Sequence, residues 1–162
     1  MNNQSSSTDI LKDLYLSADE KKYPSIPAYA RATPSYSDKT ANGLTKCIID
    51  FINLSGGQAE RISNTGRQID NRITVLDVIG RSKTIGSMEW VRGTGKNGTA
   101  DISATIKGRS VKVEVKIGRD KQSQDQKNYQ KEVERAGGIY FIARNFESFY
   151  NWYNQKFAGN GK

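Results

Sequence analysis

The stretch that decides the fold runs from Thr99 to Ile117 and reads TADISATIKGRSVKVEVKI. Apolar and polar residues alternate on both sides of its centre, which is the period-two pattern of strands with one buried face. Lys107-Gly108 lies between the two alternating runs, where a two-residue hairpin loop is expected. We therefore predict a β-hairpin in which Ile106 pairs with Arg109.

The predicted turn also determines which polar residues face one another. Counting outward from the turn places Asp101 opposite Glu114 on the polar face of the hairpin, whereas a longer loop would place Asp101 opposite Lys116. Two carboxylates that face each other across a strand pair repel, so a cation is expected between them. Because the ligands are oxygens and the chain has no histidine, that cation is Mg²⁺ or Mn²⁺.

Lys116 lies two residues beyond Glu114 and therefore on the same face of the strand. Its ammonium group can hold a water molecule or offset charge that develops on a phosphate. A divalent ion beside it can orient a phosphodiester and activate water. The three residues thus favour a phosphodiesterase, and the alternative is a solvated strand face of mixed charge.

Further helices and strands are predicted on both sides of the hairpin. The predicted order is helix, strand, two-stranded hairpin, helix, strand, helix, which is an α/β fold with a mixed sheet. Ser123 and Gln126 form a capping box at the start of the second helix, and Asn145 caps the last one. The predicted bounds are 40–55 (helix), 58–64 (strand), 123–136 (helix), 138–143 (strand) and from 145 (helix).

The ends of the chain look different from its middle. Residues 1–37 are predicted to be a flexible N-terminal arm, because they contain all three prolines and a polar start. One short amphipathic stretch within them, with Ile10, Leu11 and Leu14, can form a helical turn that docks elsewhere, although such a segment is more often partly disordered. Residues 38–158 are predicted to form the folded domain and 159–162 a tail. Residues 67–98 mix strand-forming and loop-forming signals and give no clear prediction.

The composition restricts the function further. The chain has 162 residues, with 25 Lys+Arg against 17 Asp+Glu and a formal net charge of +8. Such a basic chain indicates an acidic partner such as nucleic acid, with an ordinary basic surface as the alternative. The absence of histidine excludes Ser-His-Asp hydrolysis and histidine-metal nucleases. Cys47 is the single cysteine, so an intrachain disulfide and a zinc-cysteine site are excluded.

The location is also predicted from what the sequence lacks. No run approaches the roughly 18 apolar residues of a membrane span, and residues 1–9 contain no apolar signal region. Cys47 lies in an apolar run and is expected to be a core residue in a reducing compartment. We therefore expect a cytoplasmic protein that does not enter membranes.

The motifs resemble those of a known family. Gly98-Thr99-Ala100-Asp101, Glu114-Val115-Lys116, Gln126 and Ala136-Gly137-Gly138 together resemble the PD-(D/E)XK nucleases of the VRR-NUC type. The resemblance covers about residues 40–145 in element order and is closest over 98–140. It implies a restriction-endonuclease-like core and a metal-dependent DNA endonuclease similar to Holliday-junction resolvases. It further implies branched DNA as substrate, a homodimer, and a bacterial or phage-infected cell.

The resemblance also implies roles for single residues. Asp101 and Glu114 would be metal ligands helped by the Val115 carbonyl, Lys116 the catalytic lysine, and Gln126 a supporting residue. Ala100 stands where the family name has proline, and the first helix lacks the family's glutamate. The residues that could complete the site in its place are Asn42, Asp38, Asp50 and Glu60.

Basic and aromatic residues outside the hairpin are candidate DNA contacts. Arg61 and Arg67 are placed to contact phosphate, or are ordinary surface arginines. Three basic residues after the second strand can line a DNA track, and three aromatic residues can stack on bases. The basic residues are Arg119, Lys121 and Lys127, each of which is otherwise an ordinary solvated side chain. The aromatic residues are Trp90, Trp152 and Tyr153, of which the last two belong to an aromatic helix that needs core contacts. The competing functions are a non-cleaving nucleic-acid-binding module that keeps the fold and a basic structural protein.

Overall fold

A computed structural model describes residues 6–63, 66–91, 93, 95–157 and 159. Within these residues the chain combines four α-helices with a mixed four-stranded sheet, so the predicted α/β class is confirmed. The helices are α1 (Ser7–Lys22), α2 (Ala41–Leu54), α3 (Gln124–Arg135) and α4 (Phe146–Phe157), with a 3₁₀ turn at Ala28–Ala30. The strands are β1 (Gln58–Arg61), β2 (Arg67–Asp70), β3 (Ile73–Leu76), β4 (Ser82–Ile85), β5 (Met88–Val91), β6 (Ile102–Ile106), β7 (Arg109–Val115) and β8 (Ile139–Ala143).

The central sheet has the strand order β1-β6-β7-β8. β6 runs antiparallel to both β1 and β7, whereas β8 is parallel to β7. The hairpin register is as predicted, since Ile106 pairs with Arg109 and Ile102 with Val113. Lys107 and Gly108 have positive φ angles of 47° and 75°, which is the conformation that a two-residue loop of this kind requires.

The sheet has helices on both faces. Its apolar face, which includes Ile102, Val111 and Val113, packs with residues of α1, α2 and α4 in one buried core. On the opposite face α3 lies against β8, and Tyr129 of α3 contacts the ring of Tyr140 edge-on at 6.3 Å between centroids. The molecule is therefore layered as helices, sheet, and a single covering helix.

The helices around the hairpin begin and end where the sequence signals place them. Ser123 accepts a hydrogen bond from Gln126 N at 3.2 Å, and Gln126 Oε1 accepts one from Ser123 N at 2.9 Å, which forms the predicted capping box. Asn145 Oδ1 accepts from Ser148 N at 2.8 Å and caps α4. The predicted strand 58–64 is observed as β1 over Gln58–Arg61, and position 64 lies outside the described residues.

The N-terminal segment differs from its prediction. Residues 7–22 form α1 instead of a flexible arm, and Leu11 is fully buried in the core. An exposed helix of this composition is marginal alone, so its contacts with α2 and α4 explain why it forms. The predicted boundary at residue 38 therefore does not delimit the core. Residues 1–5 of the predicted arm and 160–162 of the predicted tail lie outside the described residues.

Residues 67–91, where the sequence gives no clear prediction, form a long antiparallel hairpin that we call the β-arm. β2 pairs with β5 and β3 with β4 in one continuous register, in which Arg67 faces Val91 and Leu76 faces Ser82. A turn over residues 77–81 closes its tip, where Asp77 Oδ1 accepts from Ile79 N and Arg81 N. The sequence signals are mixed because nearly every side chain of this ribbon is exposed.

Within the described part of the chain, no helix is both long enough and apolar enough to span a bilayer.

Candidate active site

Glu114 lies on β7 and is only 1% exposed. Val113 and Val115, its neighbours along the strand, point into the apolar core. Glu114 lies on the predicted polar face of the hairpin, but at this end of β7 the side chains of Gln126 from α3 and Tyr140 from β8 lie against it. Burial of an ionised carboxylate costs free energy unless the group is paired and hydrogen-bonded. The neighbours of Glu114 therefore determine its ionisation state.

The ammonium group of Lys116 supplies the paired charge. Lys116 Nζ lies 3.0 Å from Glu114 Oε1 and 3.3 Å from Asp120 Oδ2, and its side chain is 7% exposed. Its backbone N donates to Ala143 O at 2.9 Å, which extends the parallel pairing of β7 and β8 past Val115. Lys116 is thus fixed both by its backbone and by its charge.

Asp101 precedes β6 and faces Glu114 in the hairpin register. Its Oδ2 accepts a hydrogen bond from Val115 N at 2.8 Å, and its carbonyl accepts one from Ile62 N at 2.8 Å. The carboxylate is therefore held against the end of β7. Asp101, Glu114 and Lys116, which the sequence predicts to cluster, lie together at this end of the sheet.

Gln126 has two partners at once. Its Oε1 closes the capping box of α3, while its Nε2 donates to Glu114 Oε1. The sequence offers the cap and the site as alternative explanations for this residue, and the structure contains both contacts. Because one amide group cannot rotate without losing one contact, the start of α3 positions the Glu114 carboxylate.

Gly98 explains how α3 reaches the site. It has a φ of +74°, and a Cβ added there would lie 2.3 Å from the backbone of Asp125. Only glycine allows this close approach without strain. The chain that leads into Asp101 therefore packs against the first turn of α3, beside Gln126.

Two residues near the site have no assigned role in the sequence analysis. Tyr140 donates to Glu114 Oε2 at 3.4 Å, and Asp120 pairs with Lys116 as described above. A tyrosine within the buried run Ile-Tyr-Phe-Ile is a usable signal, because a buried hydroxyl needs a partner. No sequence signal indicates the ion pair of Asp120 with Lys116, because that pair depends on the conformation of the loop after β7.

The charges at the site shift one another's ionisation. Burial raises the pKa of Glu114 above its usual range, and the charge of Asp101 raises it further, although Lys116 opposes both. Burial acts to lower the pKa of Lys116, but the hydrogen bonds and charges of Glu114 and Asp120 outweigh it and raise that pKa. Lys116 therefore stays charged, while Glu114 is harder to ionise than a surface glutamate.

The oxygen atoms present suit a divalent cation held by few protein ligands. Within the described residues, no group of three or more His, Cys, Asp or Glu side chains is arranged to hold a metal. Mg²⁺, however, is commonly bound by one or two carboxylates together with water and substrate phosphate. Asp101 Oδ1 accepts no hydrogen bond from the described residues, and the contact to Glu114 Oε2 is long. These two carboxylates therefore fit such an ion.

The residues proposed to replace the family's helix glutamate lie elsewhere or are exposed. Asp38 caps α4 by accepting from Phe146 N at 2.9 Å, and Asp50 accepts from Tyr36 OH at 3.0 Å. Asn42 is exposed in the first turn of α2. Glu60 is exposed on β1 opposite Ser103, on the same sheet face as Glu114 but further along the strands. None of the four contacts Asp101 or Glu114.

The basic candidates are all exposed but lie in different places. Arg119 and Lys121 follow β7 and flank Asp120, close to Lys116 along the chain. Arg61 shares its sheet face with Ile102 and so lies on the face away from Glu114. Arg67 opens the β-arm.

The three aromatic candidates differ in exposure. Tyr153 is 7% exposed in the core, and Trp152 stacks on Phe141 at 4.4 Å, so neither is available for stacking on bases. Trp90 is 64% exposed on β5.

Chemically, the site joins an acidic pair to a buried ammonium group and an amide donor at one end of a sheet. Such a set can hold a cation and a phosphate side by side. Comparison of the chain with known protein families and with curated proteins gives no match. The assignment of function therefore depends on the residues of this site.

Proposed function

We propose that the protein is a divalent-metal-dependent nuclease with a restriction-endonuclease-like core, which hydrolyses phosphodiester bonds of DNA. The proposal extends to branched or structured DNA and to a homodimer, as the resemblance to PD-(D/E)XK nucleases of the VRR-NUC type implies. The observation that carries it is the buried pair of Glu114 and Lys116 beside Asp101.

A purely structural role explains this pair poorly. A buried ion pair rarely stabilises a fold more than apolar residues of the same size would. Here it stands at the end of β7 next to a second carboxylate whose charge disfavours ionisation of Glu114. Groups with such perturbed ionisation cluster at functional sites.

Each residue has a distinct role in the proposed reaction. Asp101 and Glu114, with the Val115 carbonyl, would hold a Mg²⁺ or Mn²⁺ ion, which when bound supplies positive charge and an acidified water. Lys116 keeps its proton and offsets the charge that develops on the scissile phosphate. Gln126 and Tyr140 orient the Glu114 carboxylate through their hydrogen bonds.

A second candidate is a nucleic-acid-binding module that does not cleave. It is favoured by one observation, namely that Lys116 and Gln126 already occupy Oε1 of Glu114. In that case the ammonium group would replace the metal ion as the neutralising charge. The two candidates differ in whether Asp101 and Glu114 bind a divalent ion.

The experiment combines cleavage with direct metal binding. Labelled linear duplex and four-way-junction DNA are incubated with Mg²⁺, Mn²⁺ or EDTA, and Mn²⁺ binding is followed by the loss of its free electron-spin-resonance signal. We compare the wild type with Glu114→Gln and with Glu134→Gln, a matched control on the exposed side of α3. We expect cleavage only with a divalent ion, and loss of both cleavage and Mn²⁺ binding in Glu114→Gln alone.

Two results would overturn the proposal. Cleavage that persists in EDTA would contradict the metal requirement. Absence of cleavage on every substrate, together with no Mn²⁺ binding to the wild type, would leave the binding module in its place.

A further inference from the structure

The β-arm is a long two-stranded ribbon with few contacts to the rest of the chain. Both of its strands run from the region of Arg67 and Val91 to a tip at residues 77–81, a distance of about 33 Å at the usual rise per residue. Asp70 and Arg72 form a two-point ion pair of 2.8 Å contacts at the break between its two halves. An isolated two-stranded ribbon is marginally stable in water, which indicates that a partner covers it in use.

The outer half of the β-arm exposes apolar side chains. Val78 is fully exposed at the tip, and Leu76 and Ile79 are 71% and 66% exposed. Ile73 and Ile85, which pair across the ribbon, are 60% and 45% exposed. Exposed apolar groups on this scale mark a contact surface rather than ordinary surface residues.

The charges of the β-arm favour an anionic partner. Arg81 and Lys83 lie next to the tip, and Arg67 lies at the base; within the described residues none of the three makes an ion pair. Four basic residues of the arm stand against three carboxylates, one of which is Glu89 on β5, so the net charge of the arm is +1. Asp70 holds Arg72, and Asp77 accepts two backbone N–H groups of the tip turn. The outer half therefore carries Arg81 and Lys83 against Asp77, a net charge of +1 beside an apolar tip.

The chain segments that flank the β-arm are anchored beside the candidate active site. The chain enters the arm after Ile62, whose N–H donates to the Asp101 carbonyl, and it returns through Gly98, which packs on the first turn of α3. This position distinguishes the arm from a surface remote from the site.

From these observations we infer that the β-arm is a DNA-binding ribbon, which lies in a groove of the duplex bound at the active site. A two-stranded ribbon fits the major groove of DNA. Arg81 and Lys83 contact phosphates, and Val78 and Ile79 meet the bases. The inference rests on the proposed function only in taking DNA as the substrate, and it does not require cleavage. A second copy of the chain is the alternative occupant of the tip, and crosslinking at the tip distinguishes it from DNA.

The first test is the salt dependence of DNA binding in EDTA, where no metal-dependent cleavage occurs. Each phosphate contact contributes about 0.9 to the slope of log affinity against log salt concentration. We expect the double variant Arg81→Gln/Lys83→Gln to reduce that slope by about 1.8. The control Lys21→Gln/Lys39→Gln removes two exposed charges from the N-terminal part and should leave the slope unchanged.

The second test identifies the partner of the tip. Cys47 is fully buried, so a Val78→Cys variant can be labelled at the new thiol with a photoreactive benzophenone. Tyr29→Cys, at a 92% exposed position in the N-terminal segment, is the matched control. Upon irradiation with duplex DNA in EDTA, we expect a protein–DNA adduct from Val78→Cys and little from Tyr29→Cys.

The outcomes separate this inference from the nuclease proposal. An unchanged salt slope would overturn the inference. A protein–protein adduct at position 78 in place of the DNA adduct would also overturn it and would favour a dimer contact. A DNA adduct with a reduced slope supports it even if the wild type cuts no substrate. Metal-dependent cleavage without either effect would leave the nuclease intact and the arm without a role in DNA binding.

Discussion

The end of β7 and the β-arm differ in which side chains they bury: the first buries charged groups, and the second exposes apolar ones. At the end of β7, Glu114 and Lys116 are buried and paired, and among the described residues no buried side-chain nitrogen or oxygen lacks a hydrogen-bond partner. On the β-arm, apolar side chains such as Val78 are exposed while Arg81 and Lys83 have no ion-pair partner among those residues. The buried polar groups of the site therefore compensate one another within one chain, whereas the apolar side chains of the arm remain exposed.

This difference predicts which substitutions will change the free energy of unfolding and which will change only binding. Changes within the buried site must alter the free energy of unfolding, because each group there compensates another. Changes at the tip of the arm remove no contact within the chain, so their effects should be confined to binding. Stability measurements therefore distinguish the buried site from the exposed tip.

The largest effect is expected from Lys116→Ala. It leaves Glu114 in a buried position without its ammonium partner, and breaking a buried ion pair typically costs about 3–5 kcal/mol. Urea denaturation of the metal-free protein measures this loss. The double variant Lys116→Ala/Glu114→Gln removes both charges and should recover most of the stability. An exposed, weakly coupled pair would instead give nearly equal stabilities for the three proteins.

A loss of about 3 kcal/mol is expected from Leu11→Ala, because truncation of a fully buried leucine leaves a cavity in the core. The same denaturation experiment measures it, and Tyr29→Ala in the neighbouring exposed segment is the control. Equal stability of Leu11→Ala and the wild type would mean that the N-terminal helix is detached in solution.

A smaller, pH-dependent effect is expected from Glu114. Its pKa is raised by burial, so the folded state binds a proton more tightly than the unfolded state. Its contribution to stability is therefore fully present below the ordinary glutamate pKa and is lost as the pH rises through the raised value. Melting temperatures of the metal-free wild type should fall relative to Glu114→Gln over this interval as the pH increases, while Glu134→Gln should show no such divergence. A constant difference at all pH values would contradict the raised pKa.

The smallest effect on stability is expected at the tip of the β-arm. Val78→Ser/Ile79→Ser changes side chains that are exposed at 104% and 66%, so the free energy of unfolding should change by no more than about 0.5 kcal/mol. Denaturation midpoints compared with the wild type give the measurement. A larger loss would show that the tip packs against the same or another chain in solution.

The sequence alone determined the hairpin of β6 and β7 and its register. Alternation over residues 99–117 and the Lys107-Gly108 turn restrict the pairing, because a one-residue shift would exchange the two faces. The signals at Ser123 and Asn145 likewise act over one helical turn, which is why the helix starts agree. The clustering of Asp101, Glu114 and Lys116 follows from this local geometry.

Only the tertiary structure decided the environment of these residues. Period-two alternation identifies the core side of a strand but does not reveal that α3 covers the other side, so the burial of Glu114 and its contacts with Gln126 and Tyr140 depend on packing between distant elements. The docking of α1 through Leu11 depends on packing in the same way. The strands of the β-arm pair with each other and bury almost no side chains. Hydrophobic periodicity arises from a buried face, so it does not identify strands of this kind.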